Sequence, residues 1–229
     1  MGLLTKLFND ASDSEFKLAQ DLVAIAIADG EISEVERKKI AEICLHEGIP
    51  DETLEECLLG LDVDATERMP ADKKSKLAYL NKLIQVMGVD GYCSQMEIYL
   101  LEIIASKLGI GHMELVSLVL MTATRDFFGG DTGARALESF LHNVIDPKGK
   151  KLSENRDNIR TLFDLMAEYV PQQQDVEEDK STFVKAMNTA TDLLMENSLL
   201  SDEFRMMGID FETVLMDERE QAIRRWMHR

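Results

Sequence analysis

The 229-residue sequence is short of several residue types whose absence narrows what the chain can be. It has three cysteines, Cys44, Cys57 and Cys93. They are odd in number, far apart and without a C-x-x-C pair, which excludes a disulfide framework and a zinc ribbon and points to reduced thiols in a cytoplasmic setting. Basic residues are scarce. Twenty-five Lys and Arg stand against 43 Asp and Glu, for a formal net charge of −18. A nucleic-acid or anionic-membrane surface needs the opposite balance, because such binding works by replacing counterions with Lys and Arg. No apolar run is long enough to span a bilayer, and the N-terminal Met1-Gly2-Leu3-Leu4-Thr5-Lys6-Leu7-Phe8 is expected to form a packed arm. Lys6 occupies the position where a myristoylation signal requires Ser or Thr. Nor is there an H-E-x-x-H, a phosphate-cradling loop or a G-x-S-x-G elbow, and the four histidines, His46, His112, His142 and His228, are scattered. The chain is not expected to be an enzyme. No segment reads convincingly as a strand.

What is present is helical. With 45% hydrophobic and 30% charged residues the chain can bury one substantial core or two small ones and keep a charged surface. Phe16, Ala19, Leu22, Val23 and Ala26 recur at three-four spacing and predict a buried first helix over 13–28. Ser33 opens a second helix, with Ile40, Ile43 and Cys44 on one face and Gly48 and Pro50 as the stop. A short third follows over 51–59, then a polar loop through Asp62 and Asp64. Leu77, Leu80, Leu83, Ile84 and Met87 mark a fourth helix, Ser94 to Gly109 a fifth, Met113 to Phe127 a sixth and Ala134 to Val144 a seventh. Between the last two, Gly129-Gly130-Asp131-Thr132-Gly133 reads as a flexible connection.

The chain also repeats itself. Ala28-Asp29-Gly30-Glu31-Ile32-Ser33-Glu34-Val35-Glu36 returns as Val89-Asp90-Gly91-Tyr92-Cys93-Ser94-Gln95-Met96-Glu97, 61 residues on, and the same offset pairs Leu22, Ile43, Gly48 and Ile49 with identical residues. The shared frame, D-G-x-x-S-x-x-E, describes a helix, a tight turn and a second helix. Asp-Gly makes the turn, Ser33 or Ser94 caps the next helix, and Glu36 or Glu97 completes a capping box. The frame also matches the second half of a calcium loop. The first half is missing, since its first and third ligand positions fall on Ile25 and Ile27, and on Val86 and Gly88. Neither copy is an EF-hand by itself. Packed about a local two-fold, however, Asp29 and Glu36 of one copy would meet Asp90 and Glu97 of the other, and two half-loops would offer a hard cation several oxygens, with Glu31 as a further donor. The alternative is that each glutamate only caps and each aspartate only turns.

Beyond a boundary at Pro147-Lys148-Gly149-Lys150, Ser153 caps a helix whose Ile159, Leu162, Phe163, Met166, Tyr169 and Val170 keep three-four spacing. The polar stretch 171–180 reads as a solvated linker. Ser181 then opens a helix carrying Phe183, Met187 and Leu194, and the last begins near Asp210 and ends on Arg224, Arg225 and Arg229, which complement its dipole. Met187, Met195, Met206, Met207, Met216 and Met227 enrich this tail, and core packing is the expected role for them. The fold class is therefore all-α: a helical bundle over 1–147 with an internal two-fold helix-turn-helix repeat, and further helices over 148–229.

The segment from Ile27 to Arg37, with its partner from Val89 to Glu97, resembles the TerB-like family of tellurite-resistance-associated helical domains, over about the first 145 residues. The resemblance implies a compact bundle of about seven helices, a divalent cation held by clustered acids, and a non-enzymatic adaptor role in bacterial stress or defence. Calcium or magnesium at Asp29, Glu31, Glu36, Asp90 and Glu97, and a protein partner, are the expectations it carries. Tyr92 and Gln95 replace Glu31 and Glu34 in the second copy, so the two halves are not equivalent. No His-Pro-Asp is present, which closes the route to a J-domain co-chaperone. A metal-independent interaction module whose Asp-Gly turns are structural is the competing expectation.

Overall fold

The computed structural model describes residues 3–60, 69–124, 130–144, 156–169, 184, 187–192, 194–195 and 198–228. The described residues contain helices and no strand. The helices are α1 (Leu3–Ala26), α2 (Glu34–Glu47), α3 (Asp51–Leu58), α4 (Lys73–Gly88), α5 (Gln95–Lys107), α6 (His112–Thr124), α7 (Gly130–Asn143), α8 (Arg156–Tyr169), α9 (Ser198–Met206) and α10 (Phe211–Met227). The loop through Asp62 and Asp64, the boundary at 147–150, the cap Ser153, Val170, the linker 171–180, and Ser181 and Phe183 lie outside the described residues.

α1 is the central element of the first half and packs on α2, α3, α4 and α5. The expected stripe is buried, and Leu18 and Ile25 are buried beside it, so contact with four neighbours is matched by apolar residues around most of the helix. The helix is longer at its start than its apolar spacing predicts, beginning at Leu3, so the expected N-terminal arm is helical. It stops earlier, at Ala26. Ile27, expected to be buried, is 50% exposed, because the chain is already turning: the Gly30 N–H donates to the Ile27 carbonyl at 2.9 Å.

One polar group is buried in α1. Asp21 accepts from the Tyr79 hydroxyl at 2.6 Å and from Lys17 Nζ at 2.5 Å, tying α1 to α4 with both carboxylate oxygens engaged. Burial and the adjacent Asp21 carboxylate push the Tyr79 phenol well above its ordinary range, so it stays a donor. Two further contacts join helix ends: Lys82 meets Glu47 of α2 at 2.6 Å, and Lys76 Nζ donates to the Leu108 carbonyl at the end of α5 at 2.7 Å.

The contacts of α1–α3 have counterparts in α4–α6. α1 meets α2 and α3, as α4 meets α5 and α6; α2 meets α3, as α5 meets α6; and across the halves α1 meets α5, as α4 meets α2. α6 departs most from its counterpart α3. It is enclosed by α4, α5, α7 and α8, and Leu115, Val116, Leu118, Val119, Leu120 and Met121 are buried around its whole circumference. Its buried hydroxyls are satisfied within the helix, Ser117 and Thr122 each donating four residues back at 2.8 Å.

α7 starts before its expected Ala134. Gly130 to Gly133 are the first turn of the helix and not a flexible connection, and Thr132 of that turn packs near Gly91. α8 buries Ile159, Leu162, Phe163 and Met166, as its spacing predicts, and it packs on α6 and α10. The buried residues from Phe16 to Ala222 form one connected cluster, so the helices after 147 share a core with those before it. Phe204 and Phe211 stack at 4.8 Å across the α9–α10 turn. At the end of α10, Arg225 pairs with Asp164 of α8 at 2.6 Å and Arg224 with Glu220 at 2.5 Å. The expected core role of the tail methionines holds for Met187, which is 1% exposed. Met195, Met206, Met207, Met216 and Met227 lie on the outside; for Met216 and Met227 the reason is that the buried face of α10 is filled by Phe211, Val214, Leu215 and Ala222.

Candidate cation site at the paired Asp-Gly turns

Each Asp-Gly turn is built by the same short-range forces. Asp29 Oδ1 accepts from the Glu31 N–H at 3.3 Å, and Asp90 Oδ1 from the Tyr92 N–H at 2.9 Å. The glycines that follow have φ of +111° and +90°, in a region that L side chains rarely adopt. Ser33 Oγ then accepts from the Glu36 N–H at 3.2 Å while Glu36 Oε2 accepts from the Ser33 N–H at 2.7 Å. Ser94 and Glu97 do the same at 3.2 and 2.7 Å. Both capping boxes are complete. Substituting Ser94 by alanine removes the acceptor for the Glu97 N–H and is expected to cost about 1 kcal/mol, read by chemical denaturation.

Local rules end there. Glu36 and Glu97 are 5% and 3% exposed, although first-turn acids usually face water. Burial is the main cause that raises the Glu97 carboxyl to about 7; its bonds to Ser94 oppose this, and the charges of Glu36 and Asp29 add to it. Glu36 is raised for the same reasons: burial first, opposed by Ser33, with Asp90 and Asp29 adding. Each buried glutamate therefore feels the aspartate of the other turn. The Cys93 thiol between Asp90 and Glu97 is pushed well above its ordinary range by burial and by Glu97, which makes it a packing residue and not a nucleophile.

Of the sequence-predicted ligands, Asp29, Glu36, Asp90 and Glu97 are brought into one electrostatic neighbourhood. Glu31 is not; its side chain is exposed and it contributes a backbone N–H. One oxygen of each of the four carboxylates is engaged by its own turn, so an ion would draw on the second oxygen of each. Among the described residues no group of three or more His, Cys, Asp or Glu side chains is arranged to hold a metal ion, so the four carboxylates share a neighbourhood without forming a coordination sphere. Two of the four histidines are paired away from the turns. His46 pairs with Glu47 at 3.1 Å and His112 with Glu102 at 2.9 Å, while the side chain of His142 lies outside the described residues.

α7 adds residues that the repeat does not contain. Ser139 Oγ accepts from the Cys93 N–H at 2.7 Å, Asn143 Nδ2 donates to the Cys93 carbonyl at 3.1 Å, and a Cβ on Gly91 would lie 3.3 Å from the Arg135 guanidinium. Gly91 is thus required for its backbone, and a Cβ there would also crowd the guanidinium of the exposed Arg135, whereas a Cβ on Gly30 meets nothing within 4 Å. No local signal in α7 marks these residues, since their partners lie over 40 positions away.

Comparison of the chain with protein-family models, with curated proteins and with solved structures finds no significant match. No single helix among the described residues is long and apolar enough to cross a membrane.

Proposed function

We propose that this protein is a TerB-like, non-enzymatic helical adaptor that binds a divalent cation, calcium or magnesium, at its paired Asp-Gly turns, and that it serves a cytoplasmic stress or defence pathway in bacteria by engaging another protein. The observation that carries the reading is the convergence of Asp29, Glu36, Asp90 and Glu97. The buried Glu36 carboxylate is opposed by Asp90 and Asp29 and the buried Glu97 carboxylate by Glu36 and Asp29, and a hard cation would relieve that repulsion with oxygen ligands it prefers. Glu36 and Glu97 would hold the ion from the helix starts, and Asp29 and Asp90 from the turns.

A second reading has its own support. Both capping boxes are complete and, among the described residues, no coordination sphere is preformed, which fits a metal-independent module whose turns are architectural. Thermal melts of metal-stripped protein titrated with calcium, magnesium, manganese and zinc separate the two, because an ion bound only by the folded state raises the transition temperature. The expected result is a saturable rise with calcium or magnesium that disappears in the Glu36→Gln/Glu97→Gln double variant. No rise with any cation, or an equal rise in the double variant, would leave the turns architectural.

A further inference from the structure

α5 is apolar on two sides. Ile98, Leu101, Ile104 and Ala105 face the core, whereas Met96, Tyr99, Leu100 and Ile103 form a second stripe at the spacing of one helix face. Met96 and Tyr99 are 55% and 59% exposed, Ile103 is half-buried, Leu100 is half-buried at the margin where it also packs against the core, and Tyr92, 55% exposed, stands at the head of the stripe. The first copy of the repeat shows that this face does not have to be apolar. Its equivalents of Met96, Tyr99, Leu100 and Ile103 are Val35, Lys38, Lys39 and Glu42, and the last three take part in surface ion pairs, Lys38 with Glu34 at 3.3 Å and Lys39 with Glu42 at 3.2 Å. The same helix position is thus solvated in one copy and apolar in the other. An exposed apolar stripe rimmed by polar groups is the mark of a contact surface.

We infer that the outer face of α5 is the docking site for an amphipathic helix of a different protein, one with an apolar stripe and with lysines or arginines at the end that lies over the Asp-Gly turns. The helical form follows from the three-four spacing of the anchors, which a second helix matches by ridges and grooves. The charge follows from the site. The stripe begins beside Asp90 and the exposed Asp29 and Glu31 of the facing turn, three carboxylates against the Arg135 guanidinium at Gly91, and ends at Lys107; in a chain of net charge −18 a basic end is therefore attracted to the turns and an acidic one repelled. This identification rests on the adaptor half of the proposed function and not on the cation.

Fluorescence anisotropy tests it with a labelled amphipathic helical peptide of leucine and lysine, titrated with full-length protein in the presence of a chelator. Its counterpart with glutamate in place of lysine is titrated in parallel. Met96→Ala/Tyr99→Ala is expected to weaken binding of the basic peptide by about tenfold or more, as loss of a central aromatic anchor does, and the acidic peptide is expected not to bind. Met206→Ala, an exposed apolar residue elsewhere, is expected to change nothing. All three side chains have exposed surface to lose and little core to disturb, and circular dichroism checks the fold. Equal affinity of wild type and the double variant would overturn the proposal, as would equal affinity for the two peptides. So would a dimer in sedimentation velocity that the double variant disperses, since the occupant would then be a second copy. The chelator keeps this result separate from the metal titration: a cation shift without stripe-dependent binding sinks the docking site alone, and the reverse sinks the cation site alone.

Discussion

Replacing Glu97 with glutamine is expected to stabilise the protein at neutral and higher pH and to flatten its stability profile between about pH 4.5 and 7. An ordinary glutamate ionises near 4.5, and in the fold the Glu97 carboxyl is raised to about 7. Below the lower value the group is protonated in both states and takes nothing from stability. As pH rises through the window, the unfolded chain releases its proton while the folded chain keeps it, so the fold loses about 1.4 kcal/mol per pH unit until the folded group also ionises. The whole effect is on the order of 3 kcal/mol, and Glu36, raised in the same direction, adds to it. Glutamine keeps an oxygen for the Ser94 N–H and discards the charge. Urea denaturation of wild type and variant across this pH range measures the difference directly. A variant less stable than wild type at pH 8, or one with an unchanged slope, would mean that the carboxylate is favourably neutralised in the fold and that the two turns do not repel. The cation reading makes a linked claim: an ion that competes with this proton binds more tightly as pH rises.

Phe163→Ala is expected to be among the most damaging single truncations outside the repeat. Phe163 is 0% exposed in α8, and deleting a fully buried ring costs about 3–5 kcal/mol, through lost transfer energy and the cavity left behind. For a chain of this length that lowers the melting temperature by about 10 °C. Because α8 packs on both α6 and α10, the loss is expected in one cooperative transition. A calorimetric trace that splits in two, with the upper transition unmoved, would show the helices after 147 melting as a separate unit.

The helices and turns were legible in the sequence because they are made over three or four residues. Ser33, Ser94, Glu36 and Glu97 cap within one turn of helix, and the stripe of α8 lies on one side of one element. Where periodicity misled, the neighbours decided. Gly130 and Gly133 read as a break, yet they are helical where Thr132 reaches Gly91. The methionine-rich tail read as core, but five of its six methionines are exposed, and on α10 other residues fill the buried face and leave Met216 and Met227 outside. α5 is apolar on two sides, and no pattern within one helix can say which side meets the core.

The candidate site divides in the same way. The sequence by itself determined that Asp29 and Asp90 turn the chain and that Glu36 and Glu97 cap the helices that follow, because each of these bonds closes within three residues. Only the tertiary structure decided that both glutamates are buried, that each feels the aspartate of the opposite turn, that Arg135 lies against Gly91, and that the outer stripe of α5 is left uncovered. Burial and charge coupling depend on what lies a few ångströms away in space, and here those neighbours are about 60 residues away in the chain for the carboxylates and over 40 for Arg135.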